Sequence, residues 1–162
     1  MGVTIIIILL LVTISVVYYI VRETNNKIDS YMSFRESMDL TELPVVTFYQ
    51  GDTKINFLLD TGSNNSLINA YCGLNINFEG IENETEIYGI NGETIKAKGA
   101  EIEFSYKKFV FKYQFQICDL TKTFESIKKE TGVTIHGILG NQFFKEYSYI
   151  LDFDKLVAYS KK

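Results

Sequence analysis

Tryptophan is absent from these 162 residues, histidine and proline each occur once, and cysteine and arginine each occur twice. Each scarcity removes a class of function. With His136 as the only imidazole and no cysteine or carboxylate cluster at ligand spacing, a zinc site lacks ligands, and no metal or other cofactor is expected. A Ser-His-Asp or Cys-His mechanism would have to use that same His136, whose Ile-His-Gly context is typical of a structural position. Cys72 and Cys118 make neither a disulfide framework nor a metal cage, and read as reduced, half-buried thiols. Lysines are scattered and the net charge is −4, so no nucleic-acid footprint is present. "GINGET" and "GILGN" lack the lysine and spacing of a phosphate loop.

What remains suits one folded domain. The apolar share is 46% and the aromatic share 14%, and many Tyr, Phe, Ile and Thr lean towards β structure. The N-terminus differs in kind. Val3 to Val21, "VTIIIILLLVTISVVYYIV", is 19 residues without a charge, enough to cross a bilayer core of about 30 Å as a helix. Tyr18 and Tyr19 sit where an interfacial aromatic belt lies, and Arg22 follows. A cleaved signal peptide would need a basic start, a shorter apolar core and a small-residue cleavage site, none of which is present. A buried soluble helix fits less well, because the run is Ile/Val-rich on every face. The reading is an uncleaved single-pass anchor, residues 1–22, with a polar juxtamembrane linker at 23–42 and a β domain at 43–162. Arg22, Lys27 and Arg35 lean towards a cytoplasmic domain, but Glu23 and Asp29 are mixed among them, and the side stays open.

Within the linker a short helix is expected around Ser33 to Met38. Beyond it, "LPVVTFY" (43–49) and "KINFLL" (54–59) form a hairpin about a Gly-containing turn, and "SLINAY" (66–71) follows as a strand. "TEIYGI" (85–90) and "ETIKAKGAEIEF" (93–104) flank Asn-Gly, a strong hairpin signal. "SYKKFVFKYQFQIC" (105–118) alternates as one further strand. Thr123 can cap and Gly132 can end a short helix. "IHGILG" (135–140), a short helix "NQFFKEY" (141–147) and a final hairpin of "YSYILDF" with "KLVAYS" complete the chain. No internal repeat is present.

The candidate chemistry sits at "LLDTGS". Asp and Gly favour turns, and for an isolated Asp-Thr-Gly an ordinary strand-ending turn is the safer reading. Here the preceding "FLL" is wholly apolar, and a carboxylate on a strand buried on both faces is costly unless supported. A Gly-tipped hairpin, "YGING", and then "GILG" before an apolar helix follow in order. Asn83-Glu84-Thr85 also matches a glycosylation acceptor, a triplet common by chance.

In that order, "LLDTGS", "IYGINGETIK" and "HGILGNQFF" resemble the retropepsin-like aspartic proteases, the single-domain relatives of pepsin, over roughly Leu43 to Phe153. The resemblance implies a mostly β, closed acid-protease barrel with one or two short helices, and an endopeptidase that works on protein or peptide substrates. Asp60 would be the catalytic acid/base, with Thr61, Gly62 and Ser63 supporting its loop. Tyr88, Gly89, Ile90, Asn91 and Gly92 would form a flap over the substrate, and Ile138, Leu139 and Gly140 would pack behind the site. The chemistry requires two carboxylates sharing a proton. Asp152 and Asp154 lack the adjoining Thr-Gly, so a second copy of the chain must supply the partner, which implies a homodimer. A Ser63 hydroxyl donating to the Asp60 carboxylate would favour its ionised form and shift the pH optimum downward. The alternative is a catalytically silent fold of this type, used at the membrane for dimerisation or peptide binding. The segment Leu120 to Ile135 and the tail after Phe153 are longer than in compact viral members.

Overall fold

The computed structural model describes residues 2–29, 31–88 and 94–161. The chain separates into two units, Met1–Tyr31 and Met32–Lys162. The first is a single helix, α1 (Gly2–Asp29). Its segment Ile6–Thr24 has mean hydropathy 2.1 with none of its surface buried, and is long and apolar enough to cross a membrane. The hydroxyls of Thr13, Ser15 and Thr24 donate back to the carbonyls of Leu10, Leu11 and Ile20, so these polar groups are satisfied within the helix itself.

The second unit begins inside the stretch expected to be a linker. Strand β1 (Met32–Ser33) and helix α2 (Arg35–Thr41) belong to it, and Met32 and Phe34 are buried in its core. Then follow β2 (Val45–Gln50), β3 (Thr53–Leu59), β4 (Leu67–Asn69), β5 (Glu79–Tyr88), β6 (Thr94–Tyr106) and β7 (Phe109–Cys118). Helix α3 (Thr121–Thr131), β8 (Gly137–Leu139), α4 (Asn141–Glu146), β9 (Tyr149–Asp152) and β10 (Val157–Ser160) complete it.

Six strands close into a barrel in the order β2-β3-β8-β4-β7-β6, and the ring is sealed where Tyr49 pairs with Ser105. β5 adds to the outer edge of β6, and a separate three-stranded sheet runs β1-β10-β9. Within the ring each of the six strands has a neighbour on both sides.

The barrel fills because inward positions alternate along each strand with a period of two. Ile55 and Phe57 on β3, Ile102 and Phe104 on β6, and Phe111, Tyr113 and Phe115 on β7 all point inside. Phe104 is the hub of the core: its ring lies 5.2 Å from Phe48, 5.4 Å from Phe57, 5.5 Å from Phe111 and 5.6 Å from Phe115. A second cluster, Val45, Phe124 and Ile135, attaches α3 to the outside of the barrel.

Three boundaries differ from those expected. The stretch 105–118 is not one strand. A two-residue turn at Lys107–Lys108 divides it, with Lys107 at φ +52°, so that Phe104 faces Phe111 across a hairpin. β5 begins at Glu79 rather than at residue 85, because its pairing with β6 shifts register between Ile81 and Glu84 and that bulge breaks the alternation. Helix α3 starts at Thr121, whose N–H is taken by the Asp119 carboxylate, and not at Thr123; Gly132 ends it in the left-handed conformation (φ +76°).

Candidate active site

Asp60 is the first residue beyond β3. Its place is set by β8, which is threaded between two strands distant in sequence. β8 runs parallel to β3, with Leu59 opposite Leu139, and antiparallel to β4, with Leu67 opposite Ile138. The Asp60 N–H donates to the Leu139 carbonyl at 3.0 Å, continuing the β3–β8 ladder into the acid loop. The segment Ile138, Leu139, Gly140 thus lies directly against the loop that carries Asp60.

The loop is closed by local bonds. The Gly62 N–H donates to Asp60 Oδ1 at 2.8 Å, and the Ser63 N–H to the Asp60 carbonyl at 3.3 Å. Ser63 Oγ donates to the Asn65 carbonyl at 2.7 Å. The serine hydroxyl is therefore directed into the loop backbone rather than onto the carboxylate. The basis for an acid-shifted pH optimum from Ser63 falls away; the Gly62 amide, not the hydroxyl, bonds the carboxylate.

The start of α4 holds the other side of the loop. Asn141 N–H and Gln142 N–H donate to the carbonyls of Ser63 (2.8 Å) and Asn64 (3.1 Å), and Asn141 Nδ2 donates to the Thr61 carbonyl at 2.9 Å. Gly140 N–H donates to Ser66 Oγ at 3.0 Å in a buried position. In the sequence Ser66 reads as an ordinary strand residue and Asn141 as an ordinary helix start, and only the place of Asn141 directly after "GILG" is a signal for its role. A Cβ on Gly140 would meet the Asn65 carbonyl oxygen, and would stand 2.7 Å from the Asn65 carbonyl carbon and 2.8 Å from the Ser63 oxygen. On Gly137 it would stand 2.5 Å from the Leu67 oxygen. Two glycines are required because backbone passes against backbone.

The loop is rigid at its base and open at its tip. Leu59 and Leu139 are buried, Asp60 and Ser63 are half-buried, and Thr61 and Gly62 are exposed. Other aspartates are held in local turns: Asp152 accepts from Lys155 N–H and Nζ, each at 3.0 Å, and Asp119 from Thr121 N–H. Tyr88 is the last described residue of β5 and pairs with Thr94 across the hairpin. Gly89, Ile90, Asn91 and Gly92, expected to form the flap tip, lie outside the described residues.

A family model described as "Aspartyl protease" matches residues 46–143, more than half of the chain. The chain belongs to this family. The matched residues span the barrel from β2 to α4, including the acid loop and the β8 segment behind it. The structure is also similar to EIAV protease complexed with the inhibitor HBY-793, with a TM-score of 0.51 and 20% identity, covering 71% of this chain and 97% of that one. That likeness establishes the fold, the retropepsin-like closed barrel expected from the three motifs. No curated protein matches the chain.

His136 serves this aspartyl-protease scaffold structurally. It is buried, its Nδ1 accepts the Asn56 N–H at 2.9 Å, and its own N–H and carbonyl bridge Asn56 and Asn69. Burial, with Lys128 nearby, lowers its pKa below the ordinary 6.5. Cys72 and Cys118 are free thiols, and burial pushes Cys118 up to about 11.

Two outcomes follow. Gly140→Ala forces the acid loop away from β8 and destabilises the domain by about 1–3 kcal/mol, whereas Gly80→Ala, with nothing within 4 Å of the added carbon, is tolerated; urea unfolding followed by tyrosine fluorescence separates them. For His136 the folded state binds its proton less readily than the unfolded state, so stability is full above pH 6.5 and falls as pH drops towards the lowered folded pKa. In a His136→Gln variant, thermal unfolding between pH 7 and pH 5 should lose that part of the acid sensitivity.

Proposed function

We propose that the chain is a membrane-anchored aspartic endopeptidase whose active site forms between two copies, each contributing Asp60. The observation that carries this is the acid loop itself. One Asp-Thr-Gly occurs in the chain, its base is clamped by β8 and α4, and its Thr61–Gly62 tip is exposed. A loop braced on one side and open on the other is suited to meet its own image across a twofold axis.

In the reaction, one Asp60 carboxylate takes a proton from a water molecule as its oxygen attacks the scissile carbonyl carbon. The second Asp60, protonated, gives its proton to the carbonyl oxygen. Two carboxylates at such close range cannot both be ionised, and that supplies one base and one acid at the same pH. The tetrahedral intermediate then collapses, the C–N bond breaks, and the departing nitrogen takes a proton from the pair. Thr61 would bridge the two loops, and Gly62 would let the peptide approach the carboxylates closely. The hairpin that ends at Tyr88 would close over the substrate, with Gly89, Ile90, Asn91 and Gly92 at its tip, excluding water and fixing the peptide.

The apolar helix would hold each copy in a bilayer. Confinement to a surface raises the effective concentration of the domain and favours a weak dimer. Substrates would accordingly be proteins at or in the same membrane.

Cleavage of a quenched-fluorescence peptide library should fall by about 10²- to 10⁴-fold in Asp60→Asn. Adding excess Asp60→Asn chain to the unaltered chain should suppress activity by drawing it into mixed dimers. Undiminished activity in either experiment contradicts the proposal. Separately, the full chain should stay with the membrane pellet on alkaline carbonate extraction, and its release to the supernatant would remove the anchor.

A further inference from the structure

The peptide unit that joins Thr61 to Gly62 is held at both ends. On one side the Gly62 N–H donates to Asp60 Oδ1 at 2.8 Å. On the other the Thr61 carbonyl accepts from Asn141 Nδ2 at 2.9 Å, from a residue 80 positions away at the start of α4. A trans peptide is planar and its C=O and N–H point in opposite directions, so fixing the carbonyl fixes the amide. Asn141, the Thr61–Gly62 peptide and Asp60 therefore form one short chain of hydrogen bonds that ends on the candidate catalytic carboxylate. The amide can come this close because position 62 is glycine: an added Cβ would stand 3.1 Å from Asp60 Oδ1.

The Asn141 side chain is not needed to hold α4 in place. The backbone N–H groups of Asn141 and Gln142 already donate to the Ser63 and Asn64 carbonyls, and Phe143 and Phe144 are buried. An asparagine near a helix start ordinarily bonds to backbone close by in sequence. This one reaches the acid loop instead, and no side-chain bond caps α4. Thr61 and Asn141 are both exposed, and a bond between neutral groups there contributes little to stability because water competes for each partner.

We propose that Asn141 is a positioning residue of the acid loop: by clamping the Thr61–Gly62 peptide it aims and polarises the amide that holds Asp60. This rests on the peptidase reading and assigns that site a further residue. Each hydrogen bond in such a chain polarises the next, so the Asn141 donor makes the Gly62 N–H a better partner for a negative carboxylate. A donor to the ionised form favours that form. With the clamp lost the peptide plane can tilt, and the carboxylate that must act as base keeps its proton more readily. The effect belongs to the chemical step. Water competes at the exposed tip in the free chain, whereas a peptide lying over the loop displaces it and strengthens both bonds. The charge on Asp60 changes as the proton moves, while contacts to the rest of the substrate do not, so the loss falls on kcat rather than KM.

The test compares the unaltered full chain in detergent micelles with Asn141→Ala, Asn141→Asp and Asn141→Gln. Alanine removes the donor, aspartate keeps the shape but sets an acceptor against the Thr61 carbonyl, and glutamine keeps the donating carboxamide. The Ala and Asp variants should lose about three- to tenfold in kcat with KM little changed, and the acid limb of the kcat–pH profile should move to higher pH, while Gln keeps most of the activity. A second readout needs no turnover. In nitrogen-15-labelled chain the Gly62 amide-proton resonance should move upfield in the Ala and Asp variants and stay near its place in Gln, with the unfolding temperature shifted by no more than about 3 °C. An unmoved Gly62 resonance, or a kcat loss without the displaced acid limb, overturns the positioning role. A moved resonance in a chain that cuts no peptide keeps the clamp and sinks the peptidase. Undiminished cleavage by Asn141→Ala, with cleavage lost in Asp60→Asn, does the reverse.

Discussion

The architecture depends on one close approach, the passage of Gly137–Gly140 between β3 and β4. Where a side chain would collide with the carbonyls of Leu67, Ser63 and Asn65, two glycines let the backbone lie flat against its neighbours. Everything about the acid loop follows from that contact. β8 can extend its ladder to the Asp60 N–H, Gly140 can reach Ser66 Oγ, and α4 starts near enough for Asn141 to hold both Ser63 and Thr61. A carboxylate at the end of an apolar strand would otherwise be an expensive turn. Here its own loop and the segment behind it satisfy the surrounding backbone and leave the carboxylate available.

The aromatic core explains why that geometry can be held. Phe57 packs on Phe104 and Phe115 two residues before β3 ends, and Phe143 of α4 packs on the same group. The strand that delivers Asp60 and the helix that braces its loop therefore rest on one block of interlocked rings, which has little room to deform. Rigid base and exposed tip are complementary properties. The first fixes where the acid points, and the second leaves Thr61 and Gly62 free to meet another loop. The proposal of a site shared between two copies rests on this division.

The sequence was most legible where local chemistry and fold agree. "LLDTGS" and "HGILG" could be paired through their order and their resemblance to a known family, and the close approaches at Gly137 and Gly140 give the second motif its physical reason; the alternating Phe and Ile residues marked strands that do face a core. It was least legible where a residue acts against its usual type. Lys107 takes a left-handed turn that glycine or asparagine would have announced, so two strands read as one. The bulge after Ile81 resets the period of β5 and hides its first residues. Residues 32–42 look polar on average, yet Met32 and Phe34 are core residues; two buried side chains in eleven positions leave no periodic trace. The direction of the Ser63 hydroxyl is a property of three-dimensional neighbours with no counterpart in local pattern.

The shared site is tested most directly by stoichiometry. Calorimetric titration of the full chain in micelles with a statine-type transition-state analogue counts sites per chain. A twofold site built from two Asp60 residues binds one inhibitor for every two chains, and binding should vanish in Asp60→Asn. One inhibitor bound per chain, with the same dependence on Asp60, would contradict it.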